Sequence, residues 1–204
     1  MKKITLFVMI LFTLGVNQIF AQAVEKDTKI VEVYYGWPNL WSNTAKNILT
    51  NDNSFNISAH SVGPLGGRFE FLASDKVGLA VDFNYANTVV KWNAETTDGN
   101  GNPVNYNYKF SIPRFRALLR FNLHFGGSEN FDAYWTLGAG YSSLSWNYTT
   151  DDPTYTDDGI DWNYFPIALR TGIGARYFFA SNFGVNVELG IGGPLMTFGL
   201  CTKF

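Results

Sequence analysis

Apolar and polar side chains alternate without a break along "FGVNVELGIG". Phe183, Val185, Val187, Leu189 and Ile191 fall on one face, and Gly184, Asn186, Glu188 and Gly190 on the other. A period of two belongs to strands and to no amphipathic helix. The stretch "PIALRTGIGARYFF" repeats it, with Ile167, Leu169, Ile173, Ala175, Tyr177 and Phe179 opposite Arg170, Gly172, Gly174 and Arg176. So does "FRALLRFNLHF", with Phe115, Ala117, Leu119, Phe121, Leu123 and Phe125 opposite Arg116, Arg120, Asn122 and His124. Less regular stretches place Val31, Val33, Tyr35 and Trp37 against Glu32 and Gly36, and Phe69 and Phe71 against Arg68 and Glu70. Val77 to Tyr85 and Ala133 to Tyr141 alternate in the same way, the first with Asp82 and Asn84 on its polar face. In the final segment Met196, Phe198, Leu200, Thr202 and Phe204 share a face. The pattern predicts eight strands.

The connections differ in length. "ASDK", "GGSEN" and "ASN" are short, whereas roughly 38–63, 93–105 and 149–163 are long, and "GGP" at Gly192 to Pro194 is brief. Short turns on one rim and longer loops on the other suit an outer-membrane barrel. Pro38, Pro64, Pro103, Pro153, Pro166 and Pro194 fall in loops or at strand ends, where a missing N–H removes no ladder bond. Pro113 is the exception. Tyr106, Tyr108, Phe110 and Ile112 before it are even-numbered, whereas the apolar series after it is odd, so a bulge is expected over Ile112 to Arg114.

Composition narrows the environment. "MKKITLFVMILFTLGVNQIFAQA" has the charged, apolar and small-residue order of a secretory signal peptide, with cleavage expected after Ala21 or Ala23. Residues 1–23 are thus read as the signal peptide and 24–204 as one barrel domain. Loss of Lys2 and Lys3 leaves 13 basic residues against 17 acidic, a net charge of −4 that does not favour nucleic acid. Cys201 is the single cysteine, so no internal disulfide forms. Beyond the signal peptide no long apolar run exists, yet aromatics make up 17% of the chain. A membrane protein without apolar helices must close its backbone hydrogen bonds in a barrel.

Signal peptide, eight alternating strands, unequal connections and a terminal Phe together resemble the small outer-membrane β-barrels of the OmpA and OmpX type. The resemblance implies an all-β, eight-stranded antiparallel up-and-down transmembrane β-barrel in the outer membrane of a Gram-negative bacterium, with periplasmic termini and extracellular loops. It also implies that Met196, Phe198, Leu200 and Phe204 form the signal read by the barrel-assembly machinery. It further implies that strands three and four run on into water as a protruding sheet edge able to capture partner strands. Val89, Trp92, Tyr106, Tyr108 and Phe110 are the exposed aromatic and apolar residues that suggest this extension.

If the apolar face meets lipid, the other face fills the lumen. It holds Arg68, Arg114, Arg116, Arg120, Arg170, Arg176 and Lys203 with Glu32, Glu70, Asp82 and Glu188. Eight strands enclose only enough space for side chains, so these charges are expected to pair, with Gly138, Gly140, Gly172 and Gly174 making room for the arginines. Aromatic belts are expected at Tyr35, Trp37, Tyr85, Trp92, Trp146, Tyr148, Trp162 and Tyr164 on the long-loop side. On the short-turn side they are expected at Phe71, Phe125, Phe131, Trp135, Tyr177, Phe179, Phe183 and Phe204.

Three constellations could carry chemistry. His60 and Ser61 could form a base and nucleophile, but neighbours in a strand point to opposite faces, and His124 is expected in the lumen near the short turns. Asp151, Asp152, Asp157, Asp158 and Asp161 crowd one loop without calcium-loop spacing. "DGNGN" at Asp98 to Asn102 lacks the closing Glu, Lys109 standing there, and reads as a hairpin tip. Catalytic residues, metal sites and cofactors are therefore not expected. Outer-membrane lipids and a surface ligand or host protein bound through the loops are the expected partners. A lipid-modifying enzyme, a narrow small-solute channel and a soluble lipocalin-like barrel are the competing readings.

Overall fold

The computed structural model describes residues 23–38, 57–97, 101–154, 159–161 and 166–204. The strands are β1 Lys29–Trp37, β2 Ser58–Ser74, β3 Val77–Thr97, β4 Pro103–Ser128, β5 Phe131–Thr150, β6 Gly159–Asp161, β7 Ile167–Phe178, β8 Phe183–Ile191 and β9 Met196–Lys203. Each long strand pairs antiparallel with the one before it in the chain, and β9 pairs with β1 from Ile30↔Lys203 to Trp37↔Met196, closing the ring. Beyond the last ladder pair, Lys29 and Phe204 exchange both backbone hydrogen bonds, at 2.9 and 3.0 Å. The three-residue β6 pairs only with Ser145 to Asn147 of β5, so the ring itself has eight strands. It is an eight-stranded antiparallel up-and-down barrel.

Alternation places the apolar series outside. Val31, Val33, Phe69, Leu79, Phe121, Leu169, Val185 and Leu189 are all exposed, and Leu119 is 71% exposed, while the residues between them are sealed inside. An apolar surface this continuous would drive a water-soluble protein to aggregate. It suits hydrocarbon, and the barrel is a transmembrane one. The outward series of β7 and the turn after it runs from Ile167 to Phe179. Twelve residue steps at ~3.3 Å, tilted by about 45°, give a height of roughly 28 Å, close to the ~25 Å apolar band of such barrels.

Several strands are longer than the pattern indicates, and the long-loop side is correspondingly shorter. Thr97 pairs with Pro103, so the connection between β3 and β4 is only residues 98–102, the expected hairpin tip. No bulge occurs at Pro113. β3 pairs with β4 in one register through Thr88↔Ile112, Asn87↔Pro113 and Ala86↔Arg114. On the β5 side the ladder lapses between Ser111↔Asn147 and Arg114↔Leu144, two residues on each strand, without any shift. That gap absorbs the missing N–H. The apparent change of phase has a different cause: even-numbered residues of β4 face inward from Val104 to His124, and the outer side changes from lipid to water. Below, Phe115, Leu119 and Phe121 face out; above, Asn105, Asn107 and Lys109 do. Register shifts occur instead between His124 and Gly126 of β4, between Leu72 and Ser74 of β2, and between Val62 and Leu65 of β2, where Pro64, expected at a strand end, sits beside Gly63 at φ +79°.

The belts change with this. Tyr35, Trp37 and Tyr85 on one rim and Phe125, Phe131, Tyr177, Phe179, Phe183 and Phe204 on the other face outward. Trp92, Trp146 and Tyr148 do not belong to a belt: they turn inward above it. Trp162 and Tyr164 lie outside the described residues. At the short-turn end Ala23, Val24, Ile30, Leu72, Phe178 and Cys201 form a small apolar plug.

Leu119→Arg, placing a cation at the middle of the outer face, is expected to cost about 2–4 kcal/mol in urea unfolding from lipid vesicles. Asn93→Arg, above the belt, should leave the midpoint unchanged.

Candidate functional site

Because inward residues of neighbouring strands sit side by side, charges on adjacent strands meet by register. Glu32 is the ladder partner of Arg68, and Arg68 that of Asp82. The lumen is built in tiers from these contacts. Nearest the short turns, Arg176 reaches across the bore. Its Nε donates to Glu32 Oε1 at 2.5 Å, its Nη1 to Asp132 Oδ2 at 2.9 Å and its Nη2 to Glu70, while its guanidinium lies 4.3 Å from the Tyr134 ring centroid. His124 lies between Asp132 and Glu70, at 2.8 and 3.1 Å, and Asn122 donates to Glu70 at 2.6 Å. Both ring nitrogens can donate only as imidazolium, so the geometry is fully satisfied by the charged histidine.

In the middle tier Arg68 Nη1 donates to Glu32 at 2.7 Å, and its Nη2 lies 3.1 Å from Glu188 and 3.3 Å from Asp82. Arg120 donates to Asp82 at 2.6 Å and to Glu188 at 2.5 Å, and its Nε to Thr136 at 3.0 Å. Tyr34 donates to Asp82 at 2.5 Å and Tyr134 to Glu188 at 3.1 Å. Of the four glycines expected to make room for arginines only Gly138 does, lying against Arg120 Cγ; Gly174 leaves the space the Tyr134 ring occupies, and Gly140 and Gly172 face the backbone of the neighbouring strands. A buried network of this kind is tolerable only when every charge has partners.

The outer tier differs. Arg170 Nε still reaches Glu188 at 2.7 Å, and its Nη1 donates to the Pro194 carbonyl at 3.0 Å. Arg116 has one bond, from Nη2 to the Leu169 carbonyl at 3.1 Å, and Arg114 has one long contact, to Ser142 at 3.5 Å. Neither has a carboxylate partner among the described residues. Lys203 also stands outside the network: its Nζ donates to the Ala23 carbonyl at 2.5 Å and lies 4.4 Å from the Phe178 ring centroid. Asp132, Tyr34 and Tyr134 belong to the lumen without having been singled out in the sequence, whereas Asn122 and Asn186 lie on the polar faces read there. The parity of β5 indicates Asp132, one residue before the alternation read from Ala133.

Above the belt, Trp92 stacks on Tyr108 at 5.6 Å, both approach Tyr148 at 6.2 Å, and Phe110 meets Trp146 edge-on at 5.6 Å. These are inner-face contacts; Tyr108 is 9% exposed, so the aromatics expected to be exposed are stacked instead. Asp151 accepts from Asn107 Nδ2 at 2.8 Å and from its backbone N–H at 2.7 Å. Asp152 accepts from the Thr154 hydroxyl at 2.7 Å, the Thr154 N–H at 2.9 Å and Tyr108 at 3.1 Å. These bonds, the Asn107 amide first and the Thr154 hydroxyl first, hold the two carboxyls below their ordinary range. Asp151 and Asp152 thus tie loop to strand; Asp157 and Asp158 lie outside the described residues. His60 is exposed and Ser61 half-buried on the other face of β2, and no group of metal-ligating side chains occurs among the described residues.

No family model and no curated protein matches the chain. Among solved structures it is similar to the N-terminal β-barrel domain of Pseudomonas aeruginosa OprF, at 15% identity and TM-score 0.47, over 89% of this chain and 100% of that one. It is also similar to Ail, the attachment invasion locus protein of Yersinia pestis, solved with the heparin analogue sucrose octasulfate, at 13% identity and TM-score 0.44, over 89% and 100%. The outer membrane protein OprG of Pseudomonas aeruginosa gives 15%, 0.44, 88% and 97%. The fold of the present chain stands on its own strand order, register and closure.

Two outcomes follow from the network and the extension. Arg176→Met leaves three carboxylates around a cavity and should lower stability by about 3–5 kcal/mol in denaturant titrations. The Asp151 link, with its carboxyl held below the ordinary value, contributes above that value and is lost as pH falls below about 4. The protection factor of the Asn107 amide, taken against its intrinsic exchange rate at each pH, should fall there while the barrel amides stay protected.

Proposed function

We propose that the protein resides in the outer membrane of a Gram-negative bacterium, with its short turns and termini periplasmic and its longer connections outside. We further propose that the leader is removed on export by cleavage after Ala21, which keeps Ala23 in the plug and against Lys203, and that the mature barrel domain acts by binding a partner. Catalysis and conduction have less support. His60 and Ser61 point apart, and the lumen is closed by side chains such as Arg176, Tyr134 and Glu188 that have no exposure.

The observation carrying this reading is the sheet of β3, β4 and β5, which rises past the apolar belt. Its outer face is polar, with Lys91, Asn93, Glu95, Asn105, Asn107 and Lys109 exposed. Its inner face is stiffened by the stacked aromatics, so the sheet keeps its shape without lipid. β2 pairs with β3 only as far as Ser58↔Lys91, and β3 runs on to Thr97 without a described neighbour on that side. An edge unpaired among the described residues presents backbone donors and acceptors to an extended segment of another chain, main-chain bonds supplying affinity. The occupant is a surface ligand or host polypeptide in extended conformation.

Replacing residues 93–105 with a two-residue turn removes that edge and spares the lumen. The shortened protein in vesicles should lose binding to surfaces coated with extracellular-matrix proteins and keep its unfolding midpoint. Retained binding, or stepwise conductance of the intact protein in planar bilayers, would overturn the reading.

A further inference from the structure

We propose that the outer mouth of the lumen is a binding site for a phosphoryl group, gripped by Arg116 and Arg114. The network below the mouth is electrically complete. Five carboxylates, Glu32, Glu70, Asp82, Asp132 and Glu188, are matched among the described residues by Arg68, Arg120, Arg170, Arg176 and the imidazolium of His124. Arg116 and Arg114 are therefore an excess of two positive charges. Asp82, whose charge reaches Arg116, is already bonded by Arg68, Arg120 and Tyr34.

Arg116 is only 2% exposed, and its Nε and Nη1 have no hydrogen-bond partner among the described residues. An unpaired buried guanidinium is costly, and the native state of such a group ordinarily includes a counter-charge. The space for one is present. Arg116 and Arg114 line a pocket of about 50 Å³ walled by Pro38, Pro64, Pro194 and Gly193. That is a few times what a single water needs, enough for a compact oxyanion. A side chain at Gly193 would put its Cβ 2.6 Å from both Arg116 Nη1 and Arg170 Nη1, so the two nitrogens converge on one spot that only glycine leaves open. Planar guanidinium donors converging from two sides suit a tetrahedral oxyanion, and an excess of two charges suits its dianion. Free phosphate and the phosphomonoester of a lipid headgroup share this chemistry.

The intact protein, refolded in a phosphate-free maltoside micelle, is titrated with inorganic phosphate by calorimetry and by thermal unfolding, with sodium chloride at matched ionic strength as reference. In a parallel arm it is placed in phosphatidylcholine vesicles with and without phosphatidic acid. Phosphate should bind and raise the unfolding temperature where chloride does not. A response to phosphatidic acid alone assigns the site to a lipid headgroup. Arg116→Met should weaken the response about tenfold or more while leaving the ligand-free protein at least as stable as the parent, because it removes an uncompensated charge. Arg114→Met should weaken it less. Equal responses to chloride and phosphate, no response in either arm, or an Arg116→Met protein destabilised in the absence of phosphate would overturn the proposal.

Discussion

Hydrocarbon offers no partner to a backbone N–H or C=O, and this single constraint organises the molecule. It requires the ladder to close, which the β1 to β9 pairing does. Closure at eight strands fixes a bore no wider than its own side chains. The period of two then sends every second residue into that bore, and the polar ones among them must find each other there. The charges also act on the ladder in return. Since Glu32, Arg68 and Asp82 are direct cross-strand neighbours, a slip of one residue in β2 would turn Arg68 toward lipid and a phenylalanine toward the lumen. Register and ion pairing thus specify one another.

A strand that crosses from lipid to water keeps its geometry while the meaning of its faces inverts. β4 shows this most clearly. Its even residues face inward from Tyr108 to His124, yet they are apolar above the belt and, Leu118 apart, polar or charged within it. Within lipid, the outside is apolar and the inside must be polar enough to hold arginines. Above it, the outside meets water and the inside becomes a small aromatic core. A hydrophobic pattern alone records only which side is greasy, so the crossing at Pro113 resembles a bulge although the register runs straight through. The same inversion explains why Trp92, Trp146 and Tyr148 pass for belt residues in the sequence.

The fold was therefore legible from alternation alone, and so were most of the residues that fill the lumen. The partners were not. Arg176 on β7 meets Glu32 on β1 and Glu70 on β2, contacts made across the bore whose vertical match depends on strand stagger that no local pattern records. Tyr34 and Tyr134 escaped notice because an aromatic is expected on the lipid side, whereas each here donates a hydroxyl proton to a carboxylate. Asp132 escaped through an end effect, lying one residue before the alternation becomes regular.

The distribution of satisfied and unsatisfied charge separates what holds the barrel from what does not. In the two inner tiers each guanidinium has two or more anionic or hydroxyl partners, and removing one would leave buried carboxylates repelling one another. At the mouth the relation is reversed: Arg116 is covered as completely as its neighbours but among the described residues holds only the Leu169 carbonyl. Nothing in the fold requires a cation there, since an apolar side chain of similar length would fill the same space without a desolvation penalty. Places where a chain breaks a rule that it obeys everywhere else are where function is expected to reside. The outer mouth, with rigid prolines around two unmatched arginines, is such a place, and it opens on the same side as the protruding sheet.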